Sequence, residues 1–179
     1  MNVGFDLDRI FISNPPYVPE KIIRWLHKGN SNGSLKYRIP GRLEQIVRIF
    51  SHYPLFRQPI KENIEFMEKL AAENNHTYYL ISSRFGFLKK ITEELVQKYK
   101  LDKIFKSLHF NIINEQPHLF KDKIIKKLKI DRYVDDDLFL LNFLADKNYK
   151  TKFFWLNKKI SKTLGKNLFA IKHISKILK

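Results

Sequence analysis

The chain has 179 residues, of which 44% are apolar and 29% are charged, and it carries a formal net charge of +16 without any Cys. This length and composition predict one compact domain and exclude a disordered or fibrous chain. The absence of Cys excludes disulfides, thiolate metal sites and a cysteine nucleophile. No stretch approaches the roughly 18 uncharged apolar residues of a membrane span, and we expect a cytoplasmic protein without a transmembrane segment.

The basic excess is uneven along the chain. Ten of the 34 Lys and Arg residues lie in residues 147–179, which contain no acidic residue. Such a charge suits nucleic acid or another polyanion as a partner, but an AT-rich genome also enriches Lys without any function. Nucleic acid is therefore a partner that the charge allows and does not favour.

The first third of the chain predicts a strand followed by an insertion. Residues 2–6 form a short apolar run that ends in a carboxylate, as a buried parallel strand does. Residues 9–19 contain three Pro, which cannot continue a central strand, so we expect a loop or flap there. Apolar residues three and four positions apart then predict an amphipathic helix over 41–52, after a helix over 20–28 and a loop over 30–34.

The rest of the chain alternates between helix and strand patterns. Helices are predicted over residues 60–70, 88–99, 121–129 and 138–147. Strands are predicted over residues 77–82, 108–111, 132–134 and 152–156. This alternation predicts an α/β fold class, a doubly wound and mostly parallel sheet with right-handed crossovers. We assign residues 1–9 and 59–179 to this core and residues 10–58 to a small helical cap insertion.

The end of the chain carries a further apolar repeat at steps of three or four residues, which predicts a C-terminal helix packed on the body with its Lys residues solvated. Gly165 weakens the first half of this helix. The apolar members are Ile160, Leu164, Leu168, Ile171, Ile174 and Leu178.

Polar residues stand at the ends of the predicted strands, where ligands bind in an open doubly wound sheet. These residues, together with one at a helix start, are Asp6, Asp8, Ser82, Lys121, Asp135 and Asp136. Four carboxylates at one site do not all stay ionised unless a cation neutralises them. Hard oxygen donors without thiolates point to Mg²⁺, so the sequence predicts a magnesium site at this edge of the sheet.

Four short segments carry these residues in a fixed order. They are FDLD at 5–8, YLISSR at 79–84, KDKIIKKL at 121–128 and RYVDDD at 132–137. This order resembles the haloacid dehalogenase-like (HAD-like) superfamily of phosphohydrolases, and the last three segments look most like its deoxyribonucleotidase branch. The resemblance covers residues 2–8 and about 60–157.

The resemblance implies a role for each catalytic candidate. Asp6 would attack phosphorus and form an aspartyl-phosphate, and Asp8 would protonate the leaving oxygen and later activate water. Ser82 would donate a hydrogen bond to a phosphoryl oxygen, and Lys121 would neutralise its charge. Because alternate side chains of a strand point to opposite faces, Asp8 reaches the leaving group only if the strand ends by about Leu7.

The resemblance also implies the metal ligands. They are Asp6, the backbone carbonyl of Asp8, Asp136 and, as second ligand or orienter, Asp135. These roles predict a Mg²⁺-dependent phosphatase that acts on a small phosphorylated metabolite, with a nucleotide as the leading substrate. The sequence does not predict the oligomeric state.

Two alternative functions stay open. One is a non-enzymatic basic module that binds nucleic acid or another polyanion, and the other is a catalytically weak member of the superfamily. The second is suggested by Arg9, because chains of the superfamily commonly carry a small residue at this position. Arg9 would pair with an acid, bind a substrate anion or signal altered activity. A phospho-receiver domain is disfavoured, because its acidic pair comes first along the chain and the pair comes last here.

Some assignments have rivals nearby. Ser83 and Arg84 compete with Ser82, since a slip of one residue exchanges the two faces of a strand. Lys123 competes with Lys121, which we prefer because it lies one turn nearer the strand ends.

Other residues have structural explanations. Asp137 is expected to stabilise a helix N-terminus rather than bind metal, and His118 is expected on an exposed loop near Lys121. Packing roles are expected for Tyr17, Trp25, Trp155, Phe139, Leu140, Leu141, Phe143 and Leu144. The basic residues of the insertion suit an anionic substrate or form a solvated face; they are Lys36, Arg38, Arg42, Arg48 and Arg57.

Overall fold

The computed structural model of the protein describes residues 1–15 and 35–178. The predicted helix over 20–28 and the predicted loop over 30–34 lie outside the described residues, together with Tyr17 and Trp25. None of the helices in the described ranges is long and apolar enough to cross a membrane.

The described residues form a sheet of seven strands with helices packed on it. The strands are β1 Asn2–Phe5, β2 Thr77–Phe85, β3 Ser107–Asn111, β4 Arg132–Asp135, β5 Lys152–Leu156, β6 Lys162–Thr163 and β7 Leu168–Ile171. The helices are α1 Arg42–Ser51, α2 Lys61–Ala72, α3 Lys89–Lys98, α4 Pro117–Leu128 and α5 Leu138–Lys147. The strand order is β3-β2-β1-β4-β5-β7-β6, and the neighbouring strands are parallel except β6 with β7.

Two hydrophobic layers cover opposite faces of this sheet. Along β2, Tyr78 and Leu80 belong to one buried cluster and Tyr79 and Ile81 to the other, which is the alternation that a strand produces. Helices α2 and α3 supply residues to the first cluster, and α4 and α5 supply residues to the second. Because both faces are buried, the central strands consist of almost continuous apolar runs.

Gly4 in β1 permits a close contact with Tyr133, and Tyr133 in turn contacts Asp135 at the carboxyl end of β4. A Cβ atom at this position would lie 2.8 Å from Cδ2 of Tyr133 and 3.2 Å from Cδ1 of Ile81. The missing side chain leaves room for the Tyr133 ring, whose hydroxyl reaches Asp135 at 3.1 Å.

Most predicted elements are confirmed, with shifts at their ends. Helix α5 and strand β5 have the predicted bounds, whereas β2 continues three residues further, to Phe85. Helix α4 begins at Pro117, because Pro suits the first turn of a helix. His118 therefore lies in a helix and is buried, so its predicted position on an exposed loop is wrong.

One of the packing roles predicted for α5 is wrong, that of Phe139. Phe139 is 67% exposed, whereas Leu140, Leu141 and Leu144 are buried in the core. The helix buries only one face, and Phe139 stands off that face in its first turn.

The predicted C-terminal helix is wrong. Leu168–Ile171 instead forms β7, which lies between β5 and the antiparallel edge strand β6. The backbone N–H groups of Leu164 and Gly165 both donate to the Leu168 carbonyl oxygen, at 2.8 and 3.1 Å, which closes a tight turn between β6 and β7. The run LFAI has the composition of a buried parallel strand, and its spacing matches a helical repeat by coincidence. The Lys residues of the segment are exposed as expected: Lys158, Lys159, Lys162, Lys166, Lys172 and Lys176.

The segment assigned to the insertion leaves and rejoins the core at one place. The N–H of Ser13 donates to the Gln58 carbonyl oxygen, and the N–H of Ile60 donates to that of Phe11, both at 2.8 Å. Residues 10–12 are fully buried in the core cluster between these bonds and β1. The bounds of the cap insertion stay a prediction.

Candidate active site

The carboxyl ends of β1 and β4 bring two predicted site residues together. Phe5 pairs with Val134 across the two strands, and the backbone N–H of Asp6 donates to the Val134 carbonyl oxygen at 2.9 Å. Asp6 and Asp135 therefore leave the sheet side by side, and they are only 5% and 1% exposed. The strand ends at Phe5, before Leu7, as the reach of Asp8 requires.

Lys121 links these two carboxylates from helix α4. Its Nζ donates to Oδ1 of Asp6 at 2.8 Å and to Oδ2 of Asp135 at 2.6 Å. The hydroxyl of Tyr133 donates to the same Asp135 oxygen, and the Tyr133 ring lies 5.7 Å from Nζ. The rival Lys123 is exposed and pairs with Glu115. The structure thus brings Lys121, and not Lys123, to the strand ends.

Asp136 completes a group of three carboxylates. Asp6, Asp135 and Asp136 each offer one oxygen, and these oxygens all lie within 4.8 Å of one another. We call these three residues the carboxylate centre. Arg9 approaches from the turn after β1, with its Nη1 3.0 Å from Oδ2 of Asp136. Trp155 of β5 holds the backbone here, since its Nε1 donates to the Asp136 carbonyl oxygen at 2.9 Å.

The crowding of these groups changes their proton affinities. Burial raises the pKa of Asp6 to about 7, an effect that Lys121 opposes and the charge of Asp135 reinforces. Burial and the charge of Asp135 raise the pKa of Asp136 well above its usual value, although Arg9 opposes the rise. Burial alone would lower the pKa of Lys121, but Asp135 and Asp6 outweigh it and raise that pKa well above its usual value. Lys121 is therefore a permanent cation.

The carboxylate centre suits a hard divalent cation. Its donors are carboxylate oxygens, and the chain offers no thiolate that would favour a softer metal. Asp6, Asp135 and Asp136 would hold such an ion, and its charge would favour their ionised forms. The predicted ligand role of the Asp8 carbonyl stays a prediction.

Asp8 has different partners, although it is only two residues from Asp6. Arg84 binds it with two parallel hydrogen bonds, from Nε to Oδ2 and from Nη2 to Oδ1, both 2.7 Å long. Arg57 adds a contact from Nη2 to Oδ1. We call Asp8, Arg57 and Arg84 the arginine clamp. Arg57 follows helix α1 and Arg84 lies near the end of β2, so the clamp joins the insertion segment to the sheet.

The arginine clamp keeps Asp8 ionised. Burial alone would raise the pKa of Asp8, but Arg84 and Arg57 outweigh it and hold that pKa well below its usual value. Burial and the same two guanidinium groups hold the pKa of His52 well below its usual value, so His52 is neutral beside the clamp. From the sequence, Arg57 is predicted only as one of several basic residues of the insertion and Arg84 only as a rival of Ser82. Neither is predicted as a partner of Asp8.

Ser82 lies at the same edge of the sheet. Phe5 pairs with Leu80, so Ser82 stands two residues beyond that pair on the strand next to β1. Its side chain is buried, and Oγ accepts a long hydrogen bond of 3.5 Å from the N–H of Arg84. The hydrogen bond from Ser82 to a phosphoryl oxygen stays a prediction.

A second part of the insertion segment rests on the helix ends beside the site. The hydroxyl of Tyr37 donates to Oδ2 of Asp137 at 2.5 Å, and the N–H of Tyr37 donates to Oε1 of Gln116 at 2.8 Å. The other oxygen of Asp137 accepts from the N–H groups of Phe139 and Leu140, which caps α5 as predicted.

Comparison with solved structures finds proteins that resemble the chain in fold. No protein-family model and no curated protein matches the chain. A haloacid dehalogenase-like family hydrolase from Xanthomonas campestris is 13% identical with a TM-score of 0.58, over 96% of this chain and 90% of that chain. A HAD-superfamily hydrolase from Ehrlichia chaffeensis is 12% identical with a TM-score of 0.56, over 98% and 93%.

A third similar structure includes a ligand. It is a HAD family enzyme from Bacteroides thetaiotaomicron, an Asp-to-Ala variant in complex with magnesium and inorganic phosphate. It is 11% identical with a TM-score of 0.55, over 87% of this chain and 93% of that chain. At such identities the likeness establishes the fold. The protein has the HAD-like α/β fold, as the sequence predicts, and the closer resemblance to the deoxyribonucleotidase branch stays a prediction.

Proposed function

We propose that the protein is a Mg²⁺-dependent phosphohydrolase that uses Asp6 as its nucleophile. The observation that carries the proposal is the carboxylate centre, where Asp6, Asp135 and Asp136 converge beside Lys121 at the strand ends. The HAD-like fold supports it, and one of the similar structures holds magnesium and inorganic phosphate.

The first chemical step would move the phosphoryl group to Asp6. An Asp6 oxygen forms a bond to phosphorus as the bond to the leaving oxygen breaks, and water then hydrolyses the aspartyl-phosphate. Bound Mg²⁺ supplies positive charge for the phosphoryl oxygens. Lys121 adds a permanent positive charge at Oδ1 of Asp6, and the N–H of Asp8 orients Oδ2 by a 3.0 Å hydrogen bond. Ser82 would donate to the phosphoryl group from the neighbouring strand.

The proposed acid and base work of Asp8 needs a change in its contacts. Arg84 and Arg57 already bind the oxygens of Asp8, and the carboxylate is ionised. Protonation of the leaving oxygen by Asp8 therefore requires the arginine clamp to open when substrate binds. A substrate whose leaving group needs no proton would react without this change.

The proposed substrate is a small phosphorylated metabolite, with a nucleotide as the leading candidate. The support for a nucleotide is the resemblance of the Ser, Lys and Asp-Asp segments to the deoxyribonucleotidase branch. Lys36 and Arg42 of the insertion segment are exposed and suit an anionic substrate.

A second candidate function is a basic module that binds nucleic acid or another polyanion. It is favoured by the exposed Lys residues within residues 147–179, a segment that contains no acidic residue. Binding of this kind is nonspecific and weakens strongly with salt.

One set of measurements tests both candidates. Phosphate release from nucleoside monophosphates, sugar phosphates and other phosphorylated metabolites is measured with and without Mg²⁺, and binding to RNA is measured at about 50 and 200 mM salt. We expect Mg²⁺-dependent turnover of at least one small substrate and RNA binding that disappears at the higher salt. Salt-resistant RNA binding without any turnover would favour the binding module.

Trapping the phosphoryl site tests the assignment of the nucleophile. Beryllium fluoride mimics a phosphoryl group, and we expect a crystal structure to show it on Asp6, within hydrogen-bond reach of Ser82 and Lys121. Density on Asp135 or Asp136 would contradict the proposed mechanism.

A further inference from the structure

Among the described residues, four basic side chains contact the four carboxylates of the site. The acidic members are Asp6, Asp8, Asp135 and Asp136. The basic members in contact with them are Lys121, Arg9, Arg57 and Arg84. Within the part of the chain that the structure describes, each of these carboxylates has at least one basic partner, although the pKa values of Asp6 and Asp136 stay raised without a metal. The protein supplies its own counter-ions.

Arg9 differs from the other three basic residues in its exposure. Its side chain is 36% exposed, whereas those of Lys121, Arg57 and Arg84 are at most 5% exposed. Its partner Asp136 is also the most exposed member of the carboxylate centre, at 19%. The Arg9–Asp136 contact therefore lies on the side of the centre that an ion from solvent reaches first.

The backbone directs Arg9 towards this contact. Arg9 has a φ of 61°, in the left-handed region that residues other than Gly seldom adopt. Its N–H donates to the Ile12 carbonyl oxygen at 2.7 Å, and Asp8 forms a β-bridge with Ile12. The turn after β1 is thus fixed by main-chain hydrogen bonds, and the guanidinium is placed beside Asp136.

We propose that Arg9 is a built-in counter-ion that competes with the metal for Asp136. The inference rests on the proposed function, because the metal site belongs to that function. A divalent cation and a guanidinium draw on the same carboxylate, and their positive charges repel each other. Metal binding either displaces Arg9 from Asp136 or proceeds against its charge.

The same competition couples the metal to the phosphate. Lys121 and Arg9 already neutralise two of the three negative charges of the carboxylate centre, so a divalent cation leaves an excess of positive charge there. An incoming phosphate dianion removes that excess. Without Arg9 the divalent cation and Lys121 together would balance the three carboxylates, and phosphate would add less to the affinity for the metal.

Calorimetric titration with Mg²⁺ alone tests the competition. The variant is Arg9→Gly, because Gly adopts the left-handed conformation without strain and removes only the side chain. We expect the dissociation constant for Mg²⁺ to fall by about tenfold, as for the loss of a competing charge-assisted contact. Arg9→Lys keeps the positive charge and should bind Mg²⁺ nearly as weakly as the wild type. Lys123→Ala removes an exposed positive charge that pairs with Glu115, and should leave the affinity unchanged.

The outcomes separate this inference from the proposed function. If wild type and Arg9→Gly bind Mg²⁺ equally, or if the variant binds it more weakly, Arg9 is not a competitor, while the metal site stands. If neither protein binds Mg²⁺, both the metal site and this inference are wrong. Repeating the titrations with inorganic phosphate should tighten Mg²⁺ binding more in the wild type than in Arg9→Gly. An equal gain would contradict the coupling. Circular dichroism confirms that each variant is folded.

Discussion

Asp6 and Asp8 are the same residue type two positions apart, and their surroundings are opposite. Asp6 lies in the carboxylate centre, where burial raises its pKa to about 7 in spite of Lys121. Asp8 lies in the arginine clamp, where Arg84 and Arg57 hold its pKa well below its usual value in spite of burial. Burial acts in the same direction on both carboxylates. The balance of basic and acidic neighbours therefore decides which of the two holds a proton near neutral pH.

The local chain geometry produces this difference. Strand β1 ends at Phe5, and the turn that follows sends Asp8 towards β2 and the end of the insertion segment, where Arg84 and Arg57 lie. Asp6 stays against β4 and helix α4. One short motif thus places two carboxylates in separate surroundings, one in the carboxylate centre and one in the arginine clamp.

The largest expected effect comes from Asp6→Asn. The variant keeps the size of the side chain but removes the nucleophile, so phosphatase turnover should fall to less than about 1% of the wild-type rate. Turnover is measured on the best substrate of the metabolite panel. Asp146→Asn, which changes an exposed carboxylate, serves as the matched control and should keep full activity. A rate above a few per cent for Asp6→Asn would rule out the aspartyl-phosphate.

The next effect is on stability and tests the Asp6 side of the comparison. Lys121→Met leaves Asp6 and Asp135 buried without their shared cation, which should lower the free energy of unfolding by about 3 kcal/mol at neutral pH. Loss of the cation raises the pKa of Asp6 further above about 7, so the variant takes up a proton at a higher pH than the wild type does, and the loss should grow as the pH rises above 7. Urea unfolding at several pH values measures it.

Lys123→Met is the matched control for this variant. Lys123 lies on the same helix, is exposed and pairs with Glu115, so its loss should change the free energy of unfolding by less than about 0.5 kcal/mol. Equal effects of the two substitutions would mean that the buried contacts of Lys121 contribute nothing specific.

Arg84→Met tests the Asp8 side and should have a smaller effect. Arg57 remains as a partner and Asp8 is 28% exposed, so we expect the free energy of unfolding to fall by only about 1–2 kcal/mol at neutral pH. A lowered pKa stabilises the folded protein above the unfolded value of about 4 and stops doing so as the pH falls below it. The difference from wild type should therefore be constant from pH 8 to about 5 and shrink only below about 4. Shrinkage already near pH 7 would show that Asp8 titrates like Asp6.

The carboxylate centre could be predicted from the sequence because its geometry follows from the sheet. Parallel strands end at one edge, so residues that follow apolar strands, Asp6, Asp135 and Asp136, must meet there. Asp137 was predictable for a similar reason, since an acidic residue directly before a helix caps it. In each case local position along the chain determines the contact.

The arginine clamp and the C-terminal strands depend on distant contacts instead. Arg57 and Arg84 lie 49 and 76 residues from Asp8 along the chain, and no spacing rule pairs them. Leu168–Ile171 carries a spacing that suits either a helix or a buried strand, and its place beside β5 decides in favour of the strand. Short apolar runs are ambiguous until their neighbours are known.

The smallest expected effect concerns Mg²⁺ affinity and pH. Because the pKa of Asp6 is raised to about 7 in the metal-free protein, Mg²⁺ must displace a proton from it at lower pH. Affinity should therefore fall by up to about tenfold between pH 7 and 6, and it should change little above pH 8, where Asp6 is ionised. Asp8 contributes nothing to this dependence, because it is ionised throughout the range. Calorimetry in two buffers of different ionisation enthalpy measures the protons released, which should reach at least about one per Mg²⁺ at pH 6, since the pKa of Asp136 is raised too, and should fall as the pH rises. Affinity that is constant over this range, without proton release, would show that Mg²⁺ does not bind at Asp6.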